Sequence, residues 1–240
     1  MYKNYIFDLY GTLVDIHTDE DKKEVWEKLC LFYGYYGARY LPEELQSCYK
    51  RMTDCDCNKS DSHEAYPEIR IQDVFRELFV AKGIHPDEML VIHAGQFFRV
   101  LTTEYIRLYE GVVKTLEALK KKGKNIYLLS NAQRIFTEYE LHMLDIEKYF
   151  DGILISSDYG VKKPDLRFFQ ILMNKYHMDP KECIMIGNDE RTDIEGATKV
   201  GMDSYYIHSN ISPEYSGRVN ATYVQMEPDM KKIVQGVTKL

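Results

Sequence analysis

The sequence predicts an α/β protein in which a Rossmann-like parallel sheet carries helices on both faces and an all-helical cap is inserted into it. From residue 112 onward, short apolar runs alternate with amphipathic segments, the pattern of parallel strands joined by helices. Residues 19–109 instead show apolar positions three and four apart, with almost no strand character. A length of 240 residues suits one or two domains.

The first strand is the apolar run 4–9, which stops at a Gly-Thr turn. Four amphipathic helices are predicted after it, at 21–36, 42–51, 69–82 and 86–109. We therefore predict a core made of residues 1–15 and 110–240, and a helical cap made of residues 16–109.

The second half of the chain supplies the rest of the sheet. A helix at 112–122 ends in three lysines and Gly123, which places cations at the negative helix end and glycine at the stop. The remaining predicted elements are strand 125–131, helix 134–143, strand 152–157, helix 165–176, strand 183–187, helix 193–200, strands 204–207 and 221–225, and a terminal helix.

Charge and composition exclude several classes of partner. The formal net charge is −7, which argues against a broad nucleic-acid surface because phosphate backbones require clustered lysine and arginine. No apolar run reaches the roughly 20 residues of a membrane span, and no export signal is evident. Five scattered cysteines then predict reduced thiols and a cytoplasmic location. A small anionic substrate fits these limits, and the oligomeric state stays open.

Polar side chains collect where the predicted strands end. In open parallel sheets, ligands bind beyond the carboxyl ends of the strands. A carboxylate there can act as a nucleophile, hydroxyl, amide and ammonium groups can bind the oxygens of a transferring group, and acidic loops suit Mg²⁺. The candidates are Asp8, Tyr10, Gly11, Thr12, Ser130, Asn131, Lys163, Asn188, Asp189 and Asp193.

The order of these motifs resembles the haloacid dehalogenase-like hydrolase superfamily over essentially the whole chain. The first motif reads DLYGTLVD (8–15), Ser130 closes a strand as in the second, Lys163 before Pro164 matches the third, and GNDERTDIEGA (187–197) stands where the fourth belongs. The inserted helices resemble the family's helical cap of the first type. In that cap, the polar segment 54–68 is expected to be a loop that reaches the substrate.

The resemblance implies a role for each position. Asp8 would be the nucleophile, and Ser130 and Lys163 would bind the transferring group, with Lys163 also steadying Asp8. Mg²⁺ would take an oxygen of Asp8, the backbone carbonyl of Tyr10 and a side chain of the fourth motif. Asn188 offers a neutral oxygen there and Asp189 a charge, and which of Asn188, Asp189 and Asp193 binds the ion is left open. Asp193 would orient a metal-bound water or brace Lys163. Tyr10, Gly11, Thr12 and Asn131 would contact the substrate.

Two positions depart from the family's phosphatases. Tyr10 stands where these enzymes carry an acid/base Asp, and a phenol with a pKa near ~10 is a poor proton shuttle at pH 7. Tyrosine at this position is similar to that of the 2-haloacid dehalogenases, whose halide leaving group needs no proton. Asn188 stands where many of the phosphatases carry a metal-binding Asp. The three acids in NDERTD nevertheless favour a cation at this loop.

We therefore predict a hydrolase, a Mg²⁺-dependent phosphatase acting on a small phosphorylated metabolite through an aspartyl-phosphate. The alternatives are a metal-independent 2-haloacid dehalogenase-type hydrolase and a weakly active or non-catalytic ligand-binding scaffold. Halide release in the presence of chelator separates the first alternative from the phosphatase.

Overall fold

Six parallel strands form the central sheet of the computed structural model, which describes residues 2–55, 66–214 and 217–233. The strands are β1 (Asn4–Phe7), β2 (Val14–Thr18), β3 (Thr103–Leu108), β4 (Asn125–Ser130), β5 (Gly152–Ile155), β6 (Cys183–Gly187), β7 (Asp203–Ile207) and β8 (Tyr223–Gln225). The central sheet has the order β5-β4-β1-β6-β7-β8, and all of its neighbouring strands pair in parallel. From β1 the chain adds β4 and β5 on one side, and then crosses to add β6, β7 and β8 on the other side. The direction of strand addition therefore reverses at β1, and parallel sheets form a binding crevice at such a reversal.

Both faces of the sheet are covered, as the sequence predicts. The helices after the first strand are α1 (Lys23–Tyr35), α2 (Pro42–Cys55), α3 (Ile71–Val80), α4 (Glu88–Thr102), α5 (Val112–Lys121), α6 (Arg134–Met143), α7 (Leu166–Tyr176) and α8 (Glu195–Lys199). On β1, Tyr5 and Phe7 pack in one apolar cluster with α5, whereas Ile6 packs in another with α7. Since successive strand residues point to opposite faces, a fully apolar strand is buried between two helical layers.

Helices α1–α4, called the helical block below, enclose an apolar core of their own. Aromatic side chains dominate it: Trp26 packs on Phe98 with ring centroids 5.7 Å apart, and Tyr33 packs on Phe79 at 4.2 Å. Burial of such rings against one another stabilises the block, and Ile135 of α6 packs in the same cluster. The boundary of the cap at 16–109 stays a prediction.

A two-stranded antiparallel sheet joins the block to the core, and the sequence prediction missed it. Strand β2 pairs with β3 from Val14 opposite Leu108 to Thr18 opposite Thr103, so the predicted helix 86–109 is wrong beyond Thr102. Ile106 and Leu108 pack against the main core while Tyr105 lies outside it. This alternation has the period of a strand, but the partner strand lies about 90 residues away in the sequence.

Asp15 on β2 links this small sheet to the loop between β7 and β8 through Asn210. Its carboxylate accepts hydrogen bonds from Arg107 Nε at 2.9 Å and from Asn210 Nδ2 at 2.8 Å, and the Tyr105 hydroxyl donates at 3.3 Å. Burial opposes ionisation of this carboxyl, but the three donors outweigh it and lower its pKa.

Other differences from the predicted elements are local. A π-helical turn, Glu190–Ile194, precedes the short α8, where a single helix 193–200 is predicted. Residues 231–233 are helical, at the start of the predicted terminal helix. The rest of that predicted helix lies outside the described residues. Residues 56–65 of the predicted substrate loop also lie outside the described residues. None of the described helices has the length and apolar content that crossing a bilayer would require.

Candidate functional site

The predicted site residues meet at the carboxyl ends of three neighbouring strands. Asp8 directly follows β1, Ser130 ends β4, and Asn188 directly follows β6. The backbone N–H of Asp8 donates to the carbonyl of Ile186 at 2.9 Å, which continues the pairing of β1 with β6. Because β4, β1 and β6 are hydrogen-bonded side by side, residues distant in sequence share one edge of the sheet.

Lys163 lies between two carboxylates at this edge. Its Nζ is 2.7 Å from Asp8 Oδ1 and 2.6 Å from Asp193 Oδ1, and the residue is only 2% exposed. Burial opposes the ammonium charge, but Asp193 and Asp8 together hold the pKa of Lys163 above its usual range. Burial also raises the pKa of Asp193, to about 7, despite the neighbouring ammonium. The cluster therefore holds a lysine cation against the predicted nucleophile.

Asn131 fixes the backbone of Lys163. Its side-chain Oδ1 accepts the N–H of Lys163 at 2.8 Å, and its Nδ2 donates to the carbonyl of the same residue at 3.0 Å. Asn131 is thus placed to position the lysine, and its predicted contact with substrate stays a prediction. Beside it, the hydroxyl of Ser130 is fully buried and has no hydrogen-bond partner among the described residues. A buried unpaired hydroxyl is costly unless a ligand completes it.

Gly11 lets the fourth-motif loop approach the first. It has φ +84°, and a Cβ on it would lie 2.2 Å from Nδ2 of Asn188, so both the left-handed backbone and the space require glycine. Thr12 Oγ1 donates to Asn188 Oδ1 at 3.3 Å. The N–H groups of Gly11 and Thr12 donate to Val14 and Leu9 within the turn. These two residues hold the loop, and substrate binding by them stays a prediction.

The fourth-motif loop gives its three candidate residues different surroundings. Asn188 is buried against the first-motif turn, as described above. Asp189 accepts the N–H of Arg191 at 2.8 Å through Oδ1, which caps the π-helical turn. Asp193 contacts Lys163 through Oδ1 and accepts the N–H of Asp189 through Oδ2 at 3.1 Å. Of the two metal-ligand candidates, Asn188 contacts the loop that carries Asp8, whereas Asp189 Oδ1 accepts a hydrogen bond within its own loop.

The side chain of Tyr10 is held by a network that the sequence prediction missed. Its hydroxyl donates to Glu140 Oε2 and lies 2.9 Å from Thr137 Oγ1, both on α6. Glu140 Oε1 accepts from Arg99 Nε of α4 at 2.6 Å. Burial and the Glu140 charge raise the pKa of Tyr10. Tyr10 therefore stays protonated, with its hydroxyl committed to α6.

One signal could have revealed this network from the sequence. Glu140 lies between Thr137 and Leu141 on the buried side of the predicted helix 134–143. A carboxylate on an apolar helix face requires a partner. The identity of that partner, Arg99, depends on how α4 packs across α6 and has no sequence signature.

A cavity of about 770 Å³ opens beside the cluster. Asn131 and Lys163 belong to its wall, together with Lys162, Arg191 and two residues, Tyr66 and Glu68, of the segment 66–68. Pro67 of that segment forms a β-bridge with Val161, and Glu68 Oε2 accepts a hydrogen bond from Ser156 Oγ at 2.6 Å. The last residues of the predicted substrate loop are thereby fixed to the core at the cavity's edge.

Comparison with known proteins decides the family. The family model for haloacid dehalogenase-like hydrolases matches residues 2–201. The chain belongs to the haloacid dehalogenase-like hydrolase family. This confirms the resemblance, and the protein is a hydrolase with an α/β core.

Members of this hydrolase family with known names include phosphatases. The chain is 29% identical to a glyceraldehyde 3-phosphate phosphatase of Pyrococcus furiosus, over 97% of this chain and 93% of that one. It is 27% identical to the protein of the same name from Methanothermobacter thermautotrophicus, over 72% of this chain and 73% of the other. The crystal structure of 2-haloacid dehalogenase from Pseudomonas syringae has a TM-score of 0.67 at 19% identity, covering 100% and 99% of the two chains, which shows a shared fold.

Proposed function

We propose that the protein is a phosphatase that hydrolyses small phosphorylated metabolites through an aspartyl-phosphate on Asp8, with Mg²⁺ as cofactor. The observation that carries the proposal is the buried Lys163 ammonium, 2.7 Å from Asp8 Oδ1, beside the unpaired hydroxyl of Ser130. A cation and a free donor next to a carboxylate suit a phosphoryl group, whose oxygens accept hydrogen bonds and carry negative charge. The names of the two archaeal relatives support the same chemistry.

The residues present fit a magnesium ion. Among the described residues no three His, Cys, Asp or Glu side chains form a metal cluster, but the proposed ligands are of another kind: a carboxylate oxygen of Asp8, the Tyr10 carbonyl and Oδ1 of Asn188. The Asn188 amide occupies the space that a Cβ on Gly11 would fill, so the fold keeps a neutral oxygen ligand against the nucleophile's loop. Mg²⁺ prefers such hard oxygen donors and, when bound, would offset charge on the phosphoryl oxygens.

The proposed reaction has two steps. A carboxylate oxygen of Asp8 attacks phosphorus, the bond from phosphorus to the ester oxygen breaks, and the leaving alcohol takes a proton from water. Water then attacks the aspartyl-phosphate, the bond from phosphorus to Asp8 breaks, and inorganic phosphate leaves. Lys163 and Ser130 bind the phosphoryl oxygens in both steps, and Asp193 holds the lysine in place.

Tyr10 determines which esters are cleaved quickly. Its hydroxyl is bound to α6 and its pKa is raised, so it does not protonate a leaving group at neutral pH. We therefore expect slow turnover of alkyl phosphates with basic leaving groups, and faster turnover of aryl and acyl phosphates. Equal rates on sugar phosphates and aryl phosphates would contradict this part.

The direct test is phosphate release from p-nitrophenyl phosphate with Mg²⁺ and with chelator, for the wild type and for Asp8→Asn. We expect metal-dependent release in the wild type and none in the variant, because the amide cannot form the acyl phosphate. Asp21→Asn, at an exposed acid that precedes α1 and pairs with Lys50, is the control and should match the wild type. Release that survives in Asp8→Asn would refute the mechanism.

Tyr10 also supports a second candidate, a 2-haloacid dehalogenase-type hydrolase. A halide needs no proton when it leaves, so an enzyme without an acid at this position loses nothing in that reaction. The test is halide release from 2-haloacids in the presence of chelator. Halide release together with no phosphate release would favour this candidate. If neither halide nor phosphate is released, the protein is a binding scaffold.

A further inference from the structure

We infer that Lys162 and Arg191 form a second anion-binding site beside Lys163, so that the preferred substrates are phosphate esters carrying a carboxylate or a second phosphate. This inference rests on the proposed phosphatase function and specifies its substrate class. Both residues line the 770 Å³ cavity that Lys163 and Asn131 also border. Among the described residues, neither of the two cations has an ion-pair partner.

The other charges of the cavity wall are already satisfied. Glu195 is paired with Lys199 one turn further along α8. Glu68 accepts hydrogen bonds from Ser156 Oγ at 2.6 Å and from Gln133 Nε2 at 3.3 Å. Lys163 is held by Asp8 and Asp193. Lys162 and Arg191 are therefore the wall cations whose charge is available to a bound ligand.

The backbone on each side of the cavity is fixed, so the two cations are held near the phosphoryl site. The N–H of Lys162 donates to the Tyr66 carbonyl at 3.2 Å, and the neighbouring Pro67–Val161 bridge continues this pairing. The N–H of Arg191 donates to Asp189 Oδ1 at 2.8 Å at the start of the π-helical turn. Anchored cations give more specificity than cations on a free loop, because less ordering is needed on binding.

The chemistry of the two cations indicates the part of the substrate that they bind. Lys163 is adjacent in sequence to Lys162, and it binds the group that is transferred. A small metabolite whose phosphoryl group contacts Lys163 would extend its other end into the cavity. Arginine and lysine there recognise a carboxylate or a phosphate and give nothing comparable to an aldehyde or an alcohol.

The first experiment compares substrates that differ only in that end group. The kcat/KM is measured with Mg²⁺ for 3-phosphoglycerate, glyceraldehyde 3-phosphate and glycerol 3-phosphate, which carry a carboxylate, an aldehyde and an alcohol on the same three-carbon phosphate ester. The leaving oxygen is of one kind in all three, so the weak acid at Tyr10 affects them alike. We expect the carboxylate to be favoured about tenfold over the alcohol, the effect of a hydrogen-bonded charge at a partly exposed site.

The variants Lys162→Gln and Arg191→Gln test the assignment. Each should lower the preference for the carboxylate severalfold while leaving kcat/KM for p-nitrophenyl phosphate, which has no second anion, near the wild-type value. Lys181→Gln is the matched control, because this exposed lysine precedes β6 at the opposite edge of the sheet. A wild type that cleaves the aryl phosphate without preferring the carboxylate would overturn the inference and leave the proposed function intact. If the preference for the carboxylate substrate is unchanged in both Lys162→Gln and Arg191→Gln, the assignment of these two residues to an anion site is overturned.

A binding measurement makes the inference independent of turnover. Phosphonoacetate carries a phosphonate and a carboxylate, whereas methylphosphonate carries the phosphonate alone. By calorimetry we expect phosphonoacetate to bind about tenfold more tightly, and this difference to shrink in Lys162→Gln and Arg191→Gln but not in Lys181→Gln. This result in a protein that releases no phosphate would support the anion site and refute the phosphatase. Equal binding of the two phosphonates would refute the anion site.

Discussion

Replacement of Glu140 by glutamine should weaken the link between the helical block and the first-motif loop. The glutamate uses both oxygens: Oε1 accepts from Arg99 and Oε2 accepts from the Tyr10 hydroxyl. Glutamine has the same size but only one acceptor oxygen. Its NH₂ group would then face a donor, either the guanidinium or the hydroxyl, and the charge that balances Arg99 would be lost.

The expected cost follows from the burial of the pair. Removing one partner of a fully buried ion pair costs about 3–5 kcal/mol. The side chains of Arg99 and Glu140 are 19% and 10% exposed, so water relieves part of the penalty, and glutamine retains one hydrogen bond. We expect Glu140→Gln to lower the free energy of unfolding by about 2–3 kcal/mol.

Glu138→Gln on the same helix is the matched control. Glu138 is exposed and lies 3.9 Å from Arg134, an arrangement that contributes about 0.3–0.5 kcal/mol. Urea unfolding is followed by circular dichroism and by the fluorescence of Trp26, the single tryptophan, which is buried in the helical block. If the two variants lose the same stability to within 0.5 kcal/mol, the network contributes no more than a surface pair and the reasoning is refuted.

Three further predictions concern the same region. Gly11→Ala should lower the free energy of unfolding by about 2–3 kcal/mol, because alanine strains the left-handed backbone and displaces the Asn188 amide. It should also raise the Mg²⁺ concentration needed for half-maximal activity. An unchanged magnesium titration would contradict Asn188 as the proposed ligand. Asn131→Ala should lower kcat about tenfold by releasing the Lys163 backbone, with little change in urea midpoint; full activity would exclude a positioning role. The folded-state pKa of Asp15 is lowered, so its stabilisation is present above its ordinary pKa near 4 and is lost as pH falls through the folded value. Asp15→Asn should therefore have a free energy of unfolding about 1–2 kcal/mol lower than the wild type at pH 7. This difference between wild type and variant should narrow as the pH falls. A difference that does not change between pH 7 and pH 3 would refute the prediction.

Local patterns in the sequence were sufficient for the central sheet and for the location of the site. The continuous burial of β1, β4 and β6 is visible in the sequence as apolar runs, because a strand covered on both faces has no polar side. The carboxyl ends of parallel strands meet at one edge of the sheet, so the sequence alone groups Asp8, Ser130 and Lys163. The four motifs follow strands in a fixed order along the chain, and this order was enough to indicate the family.

Pairings between distant segments were not accessible in this way. The predicted helix 86–109 failed at Thr103 because β3 is stabilised by β2, whose residues lie about 90 positions away and are too few to show a strand pattern alone. The roles within the NDERTD loop were also undecided. In the structure Asn188 lies against Gly11, whereas Asp193 contacts Lys163. These contacts support the proposal that Asn188 is a metal ligand and that Asp193 positions the lysine.

The sequence by itself therefore determined the order along the chain of the strands in the central sheet and of their connecting helices, the two helical layers and the set of candidate reactive groups, since these depend on hydrophobic periodicity and on strand ends. The tertiary structure decided which charge each group faces. Tyr10 could have pointed to the substrate, but its hydroxyl donates to Glu140 of α6, and Arg99 of α4 donates to the other oxygen of that glutamate. Lys162 could have been an ordinary solvated lysine, but the bridge at Val161 places it in the wall of the cavity. Hydrogen bonds and ion pairs depend on distances of a few ångströms, which are set only when the elements pack.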